Sequence, residues 1–278
     1  MTGPRIHIFR HEAMATVFQV RIADEEKTYA GQAAAAAFQL LDRLEAQLSR
    51  FRDDSDIARL KWLLPGETLR LAEPAFACLR LAQKMEAATG GAFSVAAAAR
   101  RTQTEPPQCS LLPEQHTVRC ERGRLEFDLG AIGKGFALDR MARLLAEWDC
   151  PAHLLVAGGS SIMAGRAPRG LPGWSCGLGE DNSPRRYWLV NTTIGGSGLA
   201  VKGDHIIDPQ TGGPAARQRR AWALADTAAE SDALSTACMV LDLEEVEQVT
   251  AVEPSWLAVL DEPEGLKFLG RRALPPEA

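Results

Sequence analysis

A glycine-rich stretch, Asp128-Leu-Gly-Ala-Ile-Gly-Lys-Gly-Phe-Ala-Leu-Asp139, constrains the fold of this chain more than any other feature. Residues 125–129 predict the end of a strand, the glycines predict a turn, and a helical pattern follows. Its spacing matches neither the dinucleotide-binding nor the P-loop fingerprint. Bare backbone and helix-opening amides favour a bound anion, Lys134 adds a cation and Asp128 adds an acceptor. The stretch therefore predicts a phosphate site or, equally, a tight turn with a solvated lysine.

Hydrophobic periodicity predicts strands and helices that intermix along the chain. Residues 29–48 carry an apolar stripe, as in a helix that packs on a sheet. Because no repeat and no linker divides the sequence, we expect one domain over residues 1–278, a compact α+β unit with two lobes. Predicted strands cover 5–9, 15–22, 116–120, 124–129, 153–157, 174–179, 186–194, 220–225 and 256–260, and further helices cover 56–63, 74–88, the residues after the glycine turn and those from about 229.

Several connections are also predicted from local sequence. Residues 116–120 and 124–129 suggest a hairpin around Gly123. The Pro-, Gln- and Thr-rich segment 102–113 suggests an exposed loop. Glycine-rich turns are expected at 158–161 and 195–198; the first suits close contact between a ligand and the backbone, or is a simple loop.

Composition excludes some classes of function. The net charge of -5 gives no reason to expect a nucleic-acid partner, whose footprint is a basic surface. No apolar run approaches the length of a membrane span, and the first residues lack the core of a signal peptide, so we expect a cytoplasmic protein. Six cysteines without a Cys-x-x-Cys pair argue against a zinc site and a disulfide framework.

A second polar cluster lies near the start of the late helix. Asp232 and Thr236 are four residues apart, so they share one helix face, with Ser235 adjacent. Carboxylate and hydroxyl oxygens suit a hard cation such as Mg²⁺. Alternatively, Asp232 caps the helix and the hydroxyls bond back to its backbone. Combined with the anion turn, however, the cluster indicates a pyrophosphate site.

Three segments together resemble the ApbE family, the FAD:protein FMN transferases. They are the glycine-rich stretch, His205-Ile-Ile-Asp-Pro-Gln-Thr-Gly212 and Ser231-Asp-Ala-Leu-Ser-Thr236. Weaker similarities follow in the family's order, at Met14-Ala-Thr16, Ser49-Arg-Phe51, Thr89-Gly-Gly-Ala-Phe93, Ala157-Gly-Gly159 and Ser197-Gly198. The resemblance implies a T-fold-like ApbE unit, with mixed sheets and packed helices.

The resemblance also implies a Mg²⁺-dependent reaction with FAD as substrate. FMN is transferred from FAD to a threonine or serine of an acceptor flavoprotein, and AMP is released. By this resemblance Mg²⁺ binds the main-chain carbonyl of Ala131 and the side chains of Asp232, Ser235 and Thr236. The FAD contacts it implies are Met14, Phe51, Ala92, Phe93, Ser94, Asp128, Lys134 and Ile206.

Two residues are candidates for the chemistry itself. Lys134 would stabilise the phosphate oxyanions, since electrostatic positioning is the main contribution to phosphoryl transfer. His205 has an unperturbed pKa suited to accept the proton of the attacking hydroxyl. A hydrogen-bonded histidine at a strand end is the alternative for His205.

Departures from the family pattern lie on the flavin side. Ala15, Phe51, Ser94 and Ser160 stand where the family has glycine, tyrosine, aspartate and an acidic or amide residue, and the loop at 199–203 is short. Each lost hydrogen bond typically weakens binding by about 1 kcal/mol. An FAD pyrophosphatase, a flavin-binding relative without transfer activity and a non-catalytic scaffold therefore stay as alternatives to the transferase.

Overall fold

The chain begins with a β-hairpin whose residues alternate between solvent and core. The computed structural model describes residues 3–103, 106–179, 184–198, 206–215 and 217–278. In it, β1 (Ile6–Ala13) pairs antiparallel with β2 (Thr16–Ala23). Val17 is exposed, whereas Phe18, Val20 and Ile22 are fully buried. The strand predicted at 15–22 is therefore confirmed, including the directions of its side chains.

The helices follow the apolar periodicity of the sequence. In α1, Leu41, Leu44 and Leu48 are buried on one stripe, and Glu26 caps the first turn by accepting from two backbone amides. The 56–63 segment divides into α2 and a 3₁₀ turn at Leu60–Trp62. The helices are α1 (Lys27–Leu48), α2 (Asp56–Arg59), α3 (Glu73–Ala88), α4 (Gly133–Glu147), α5 (Ala228–Cys238) and α6 (Leu243–Val252).

One large sheet organises the molecule. Its eight strands run in the order β1-β2-β6-β7-β10-β11-β12-β13, and every neighbouring pair is antiparallel. A three-stranded sheet, β3-β5-β4, and a ribbon, β8-β9, accompany it. The strands after β2 are β3 (Thr68–Arg70), β4 (Gln108–Leu112), β5 (Thr117–Arg122), β6 (His153–Ala157), β7 (Ser161–Ala164), β8 (Trp174–Leu178), β9 (Arg185–Leu189), β10 (Thr192–Gly198), β11 (Arg220–Leu224), β12 (Leu257–Glu262) and β13 (Gly265–Gly270).

Each face of the large sheet has its own apolar cluster. Leu155 and Ala157 of β6 belong to the larger cluster, which includes buried residues of α1, α3, α4 and α5. Leu154 points to the opposite face and belongs to the smaller cluster, which lies beneath the β8–β9 ribbon. Val156 packs against this smaller cluster. The α+β class expected from the sequence is confirmed. No helix of the described residues is both long and apolar enough to cross a bilayer.

The hairpin predicted around Gly123 is wrong. β5 pairs instead with β3 and β4, and residues 124–129 form no ladder with any strand of the described residues. Leu125, Phe127 and Leu129 are nevertheless buried. The alternation of apolar residues therefore predicted correctly which side chains are buried. It did not predict the strand pairing, because burial of alternate residues does not require a hydrogen-bonded ladder.

Three further connections differ from the prediction. Segment 102–113, predicted as a loop, contains β4, which begins directly after the prolines at 106 and 107. The strand predicted at 186–194 is two strands, because the backbone turns at Asn191 with φ 45°. Residues 195–198 are not a turn but the end of β10, where glycine allows close contact with α5. The turn at 158–161 is confirmed as the β6–β7 connection.

Candidate active site

The glycine-rich stretch forms a turn that closes on itself before α4. Asp128 Oδ1 accepts a hydrogen bond of 2.9 Å from the amide of Gly130. Lys134, in the first turn of α4, lies with Nζ 3.3 Å from the carbonyl oxygen of Gly130. Ala131 lies between these groups and is half-buried. The expected turn and helix start therefore fold into one corner, whereas the expected strand end forms no ladder with any described strand.

Helix α5 contacts this corner backbone to backbone. A Cβ on Gly135 would overlap the carbonyl oxygen of Ala228, and a Cβ on Gly195 of β10 would overlap the carbonyl group of Ser231. Only glycine permits both approaches. The first half of α5 is thus held between α4 on one side and the large sheet on the other.

Asp139 fixes the start of α5 from the neighbouring helix. Its carboxylate accepts hydrogen bonds of 2.7 Å and 3.0 Å from the amides of Ala228 and Ala229. Burial raises the pKa of Asp139 to about 7, although the two amides act in the opposite direction. This carboxylate supplies a cap from another segment of the chain for amides that lack an intrahelical partner.

Asp232 is the buried carboxylate at the centre of the site. Its side chain is 4% exposed, and its Oδ2 accepts hydrogen bonds from the amide of Gly135 at 2.8 Å and from the hydroxyl of Ser161 at 2.9 Å. Lys134 Nζ lies 3.9 Å from the same oxygen. Burial raises the pKa of Asp232, while Lys134, Ser161 and Gly135 lower it in that order. We call Lys134, Gly135, Ser161 and Asp232 the polar junction.

Three hydroxyls converge beside the polar junction. Ser235 and Thr236 donate to the carbonyl oxygen of Asp232 at 3.0 Å and 3.1 Å, as the helix-bonding alternative expected. Both also lie close to Ser197 Oγ of β10, at 3.0 Å and 3.1 Å. The helix bonds therefore coexist with a cluster of oxygen atoms that faces the sheet.

Two neighbouring exposed side chains, Arg50 and the predicted flavin contact Phe51, form what we call the rim, whereas the predicted contacts Met14 and Ser94 are half-buried. Phe51 is 81% exposed, and the Arg50 guanidinium lies 4.6 Å from its ring centre. Arg50 Nε is also 3.4 Å from Asp128 Oδ2, which links the rim to the glycine turn. Ser94 adjoins Val95, whose carbonyl oxygen accepts from the amide of Asp128 at 2.8 Å.

Other predicted flavin contacts belong to the core. Ala92, Phe93 and Ile206 are 2%, 1% and 6% exposed and belong to the larger apolar cluster. Their side chains pack the protein. Within residues 92–94, only Ser94 is half-buried rather than buried. His205 and the loop at 199–203 lie outside the described residues.

The turn that carries Met14 reaches the polar junction through the sheet. A Cβ on Gly158 would overlap the Thr16 hydroxyl, so the β1–β2 and β6–β7 turns are in contact. Ser161 follows the second turn directly and bonds Asp232. Met14 and Ala15 have φ angles of 50° and 56°, in the left-handed region that favours glycine.

Sequence reasoning assigned no individual contact to Asp139, Ser161 or Ser197, and it placed Gly135 in the turn rather than in α4. For Ser161, the available signal was its position two residues after a glycine pair, and for Ser197 it was its position among glycines. Neither signal identifies a partner, because Ser161 and Asp232 are 71 residues apart.

Residues 14–260 match the sequence profile of the ApbE family. This chain belongs to the ApbE family. Among its relatives, an FAD:protein FMN transferase of Klebsiella pneumoniae is 29% identical over 66% of this chain and 57% of its own length. One of Escherichia coli is 30% identical over 46% and 40% of the two chains, and one of Treponema pallidum is 25% identical over 83% and 77%. The chain thus spans only about half the length of the first two relatives.

Solved ApbE structures have the same fold. The flavin transferase ApbE of Vibrio cholerae superimposes with a TM-score of 0.81 over 95% of this chain and 96% of its own, at 18% identity. The ApbE protein of Thermotoga maritima gives 0.79 over 95% and 97%, at 21% identity. The family resemblance seen in the sequence motifs is therefore confirmed, together with the fold.

Proposed function

We propose that this ApbE protein is a Mg²⁺-dependent FAD:protein FMN transferase. The observation that carries the proposal is the polar junction, where the Asp232 carboxylate lies 3.9 Å from the Lys134 ammonium beside a glycine turn. A carboxylate suits a divalent cation, whereas an ammonium and exposed backbone suit phosphate oxygens. The activity of the named relatives supports the same reaction.

The residues of the junction fit a divalent cation. Asp232 Oδ1 accepts no hydrogen bond from any described residue, although the carboxylate is almost fully buried. Within those described residues no cluster of three or more His, Cys, Asp or Glu side chains offers a metal site. The proposed ligands are those that the family resemblance implies, namely Asp232, Ser235, Thr236 and the Ala131 carbonyl. When bound, Mg²⁺ supplies positive charge that offsets charge developing on the pyrophosphate oxygens.

The chain's own residues supply the remaining steps. Lys134 holds the phosphate oxygens with its ammonium, because the site leaves its side chain only 23% exposed and close to the turn. The oxygen of an acceptor threonine or serine bonds to the FMN-side phosphorus, and the bond from that phosphorus to the bridging oxygen breaks. AMP leaves with this oxygen, and the hydroxyl proton passes to a base. His205 stays the predicted base.

The rim would bind the flavin. An exposed aromatic ring beside an arginine suits a flat conjugated ligand, since stacked rings attract beyond simple area burial. Phe51 and Arg50 would therefore contact the flavin ring system, and Ser94 and Met14 would border it. The acceptor is expected to be a flavoprotein of the same compartment, for which we predict the cytoplasm.

A single incubation tests the function. The protein is mixed with FAD, Mg²⁺ and a candidate acceptor carrying a threonine, and a threonine-to-alanine acceptor serves as the matched control. The proposal expects a fluorescent flavin band on the first acceptor only, with equimolar AMP, and loss of both products with a chelator. Free FMN and AMP without labelled acceptor would instead identify an FAD pyrophosphatase, and no turnover of FAD would identify a scaffold.

The base is tested separately with His205→Ala. General-base assistance is typically worth about 10²–10⁴ in rate, so kcat should fall by that order while the Kd for FAD stays near its original value. A variant that loses FAD affinity and keeps kcat would show that His205 is a ligand contact.

A further inference from the structure

Ser161 donates to the proposed metal ligand from a strand outside both motifs that carry the site. It opens β7, is fully buried, and places its hydroxyl 2.9 Å from Asp232 Oδ2. The Gly135 amide donates to the same oxygen at 2.8 Å. Oδ2 therefore has two donors, while Oδ1 has none among the described residues.

We infer that Ser161 is a positioning residue for the metal site. By holding Oδ2 together with the Gly135 amide, its hydroxyl fixes the rotation of the Asp232 carboxylate and leaves Oδ1 as the oxygen open to the cation. This inference rests on the proposed function, because the cation is the one assigned to that site. Groups that orient a ligand through its other atom typically change metal affinity about 10–100-fold when they are removed.

A purely structural role of Ser161 predicts a different result from a positioning role. Thr193 of β10 provides the control that separates these two roles. Thr193 is 1% exposed and bonds the Ser231 hydroxyl and the Ala225 carbonyl oxygen. It therefore ties α5 to the same sheet, one residue away from Asp232 along the helix, without touching the carboxylate. Thr193→Val removes a buried hydroxyl of this sheet–helix contact and leaves both donors of Asp232 in place.

The test measures Mn²⁺ binding directly, without FAD or turnover. Unbound Mn²⁺ is followed by electron paramagnetic resonance in the original protein, Ser161→Ala, Ser161→Cys and Thr193→Val, with circular dichroism to confirm folding. We expect the Mn²⁺ Kd to rise about 10-fold in Ser161→Ala. It should rise less in Ser161→Cys, because a thiol is a weak donor. In Thr193→Val it should change less than about 2-fold, since both groups that orient the Asp232 carboxylate stay in place.

Each outcome bears on one of the two proposals. Unchanged affinity in Ser161→Ala, or an equal loss in Thr193→Val, would overturn the positioning role, because the effect would then be absent or would reflect packing of α5. If Ser161→Ala does not fold, Ser161→Cys replaces it in the test. A Mn²⁺ Kd in that variant equal to the Kd of the original protein would then overturn the inference. Absence of Mn²⁺ binding by the original protein would overturn the metal site itself, and with it the inference.

Discussion

The polar junction and the rim differ in how firmly their residues are held. Asp232 is 4% exposed and has two donors at Oδ2, whereas Phe51 is 81% exposed and its ring lies against an exposed guanidinium. Of the sequence departures from the family pattern, Phe51 belongs to the rim, whereas Ser160 directly precedes Ser161 of the polar junction. At the proposed phosphate end, the carboxylate is held by burial and two hydrogen bonds, whereas at the proposed flavin end the Phe51 ring is largely unpacked.

The strongest test of this contrast is Asp232→Asn. The amide keeps an oxygen for the Gly135 and Ser161 donors but loses the charge that a divalent cation requires. We expect at least ~10³-fold lower kcat/KM, equivalent to about 4 kcal/mol of transition-state stabilisation. Asparagine is the better variant than alanine, because alanine would leave both donors unpaired and would destabilise the fold. Full activity in a folded Asp232→Asn protein contradicts the metal assignment.

Gly195→Ala tests whether the junction is as tightly packed as the backbone indicates. A methyl group there would overlap the carbonyl of Ser231, so the free energy of unfolding should fall by about 1–3 kcal/mol. Gly31→Ala of α1 is the matched control, because its Cβ would lie 3.6 Å from the Phe9 ring, an ordinary contact. That change should stabilise the helix by up to about 1 kcal/mol. Urea unfolding measures both, and equal effects would contradict the packing argument.

Asp139→Asn tests the cap on α5. The asparagine oxygen can pair with only one of the amides of Ala228 and Ala229, and the unpaired amide should destabilise the protein by roughly 1–3 kcal/mol at low pH. Burial raises the pKa of Asp139 from 3.8 to about 7, so the folded state binds this proton more tightly than the unfolded state. The stabilisation of the folded state by Asp139 is therefore fully present below about pH 4 and is lost as the pH rises through about 7.

The measurement for this cap is the difference in unfolding free energy between the original protein and Asp139→Asn across pH 4 to 7. We expect the advantage of the aspartate to shrink as the pH rises. A difference that grows with pH would show that the two amides outweigh burial and that the carboxylate is charged throughout this range.

Phe51→Ala tests the rim. Loss of a stacked ring should remove about 0.5–1.5 kcal/mol of binding free energy, which corresponds to a rise of roughly 2–10-fold in the KM for FAD. The kcat should stay unchanged. Because the ring is 81% exposed, the thermal midpoint should stay within about 1–2 °C of the original value. A fall in kcat without a change in KM would place Phe51 near the reacting phosphorus and would weaken the contrast with the junction.

The smallest expected effect is a gain of stability in Ala15→Gly. Ala15 has a φ of 56°, a conformation that costs a non-glycine residue about 1 kcal/mol. Glycine adopts it freely but has more freedom in the unfolded chain, so the net gain should be no more than about 0.5–1 kcal/mol. Ala13→Gly, at the last residue of β1, should instead destabilise the protein. A loss in both variants would show that the turn is not strained.

Local elements could be predicted from the sequence, and contacts over long distances could not. The apolar stripe of α1 and the alternation of β2 follow from periodicity alone. The strand partner of β5 could not be predicted in this way, because residues 124–129 have a strand-like alternation of buried side chains but form no hydrogen-bonded ladder with a described strand. Glycine at 195 suggested a turn locally, whereas its reason is the close approach of α5, which only tertiary structure reveals.

The site shows the same division. Asp232 and the glycine turn were identified as one site through their motifs, since residue types and spacing carried that information. Ser161 and Asp139 were missed, because each acts on a residue about 70 to 90 positions away, and a hydrogen bond between distant segments leaves no local pattern.

The two glycines that flank α5 limit how this protein can diverge. Where main chain touches main chain, no side-chain layer exists that a compensating substitution could reshape, so a new residue at Gly135 or Gly195 has no neighbour able to adapt. Substitutions that change what the site binds must therefore fall on surface segments such as the one that carries Arg50 and Phe51. Related chains should differ there first, around an unaltered helix.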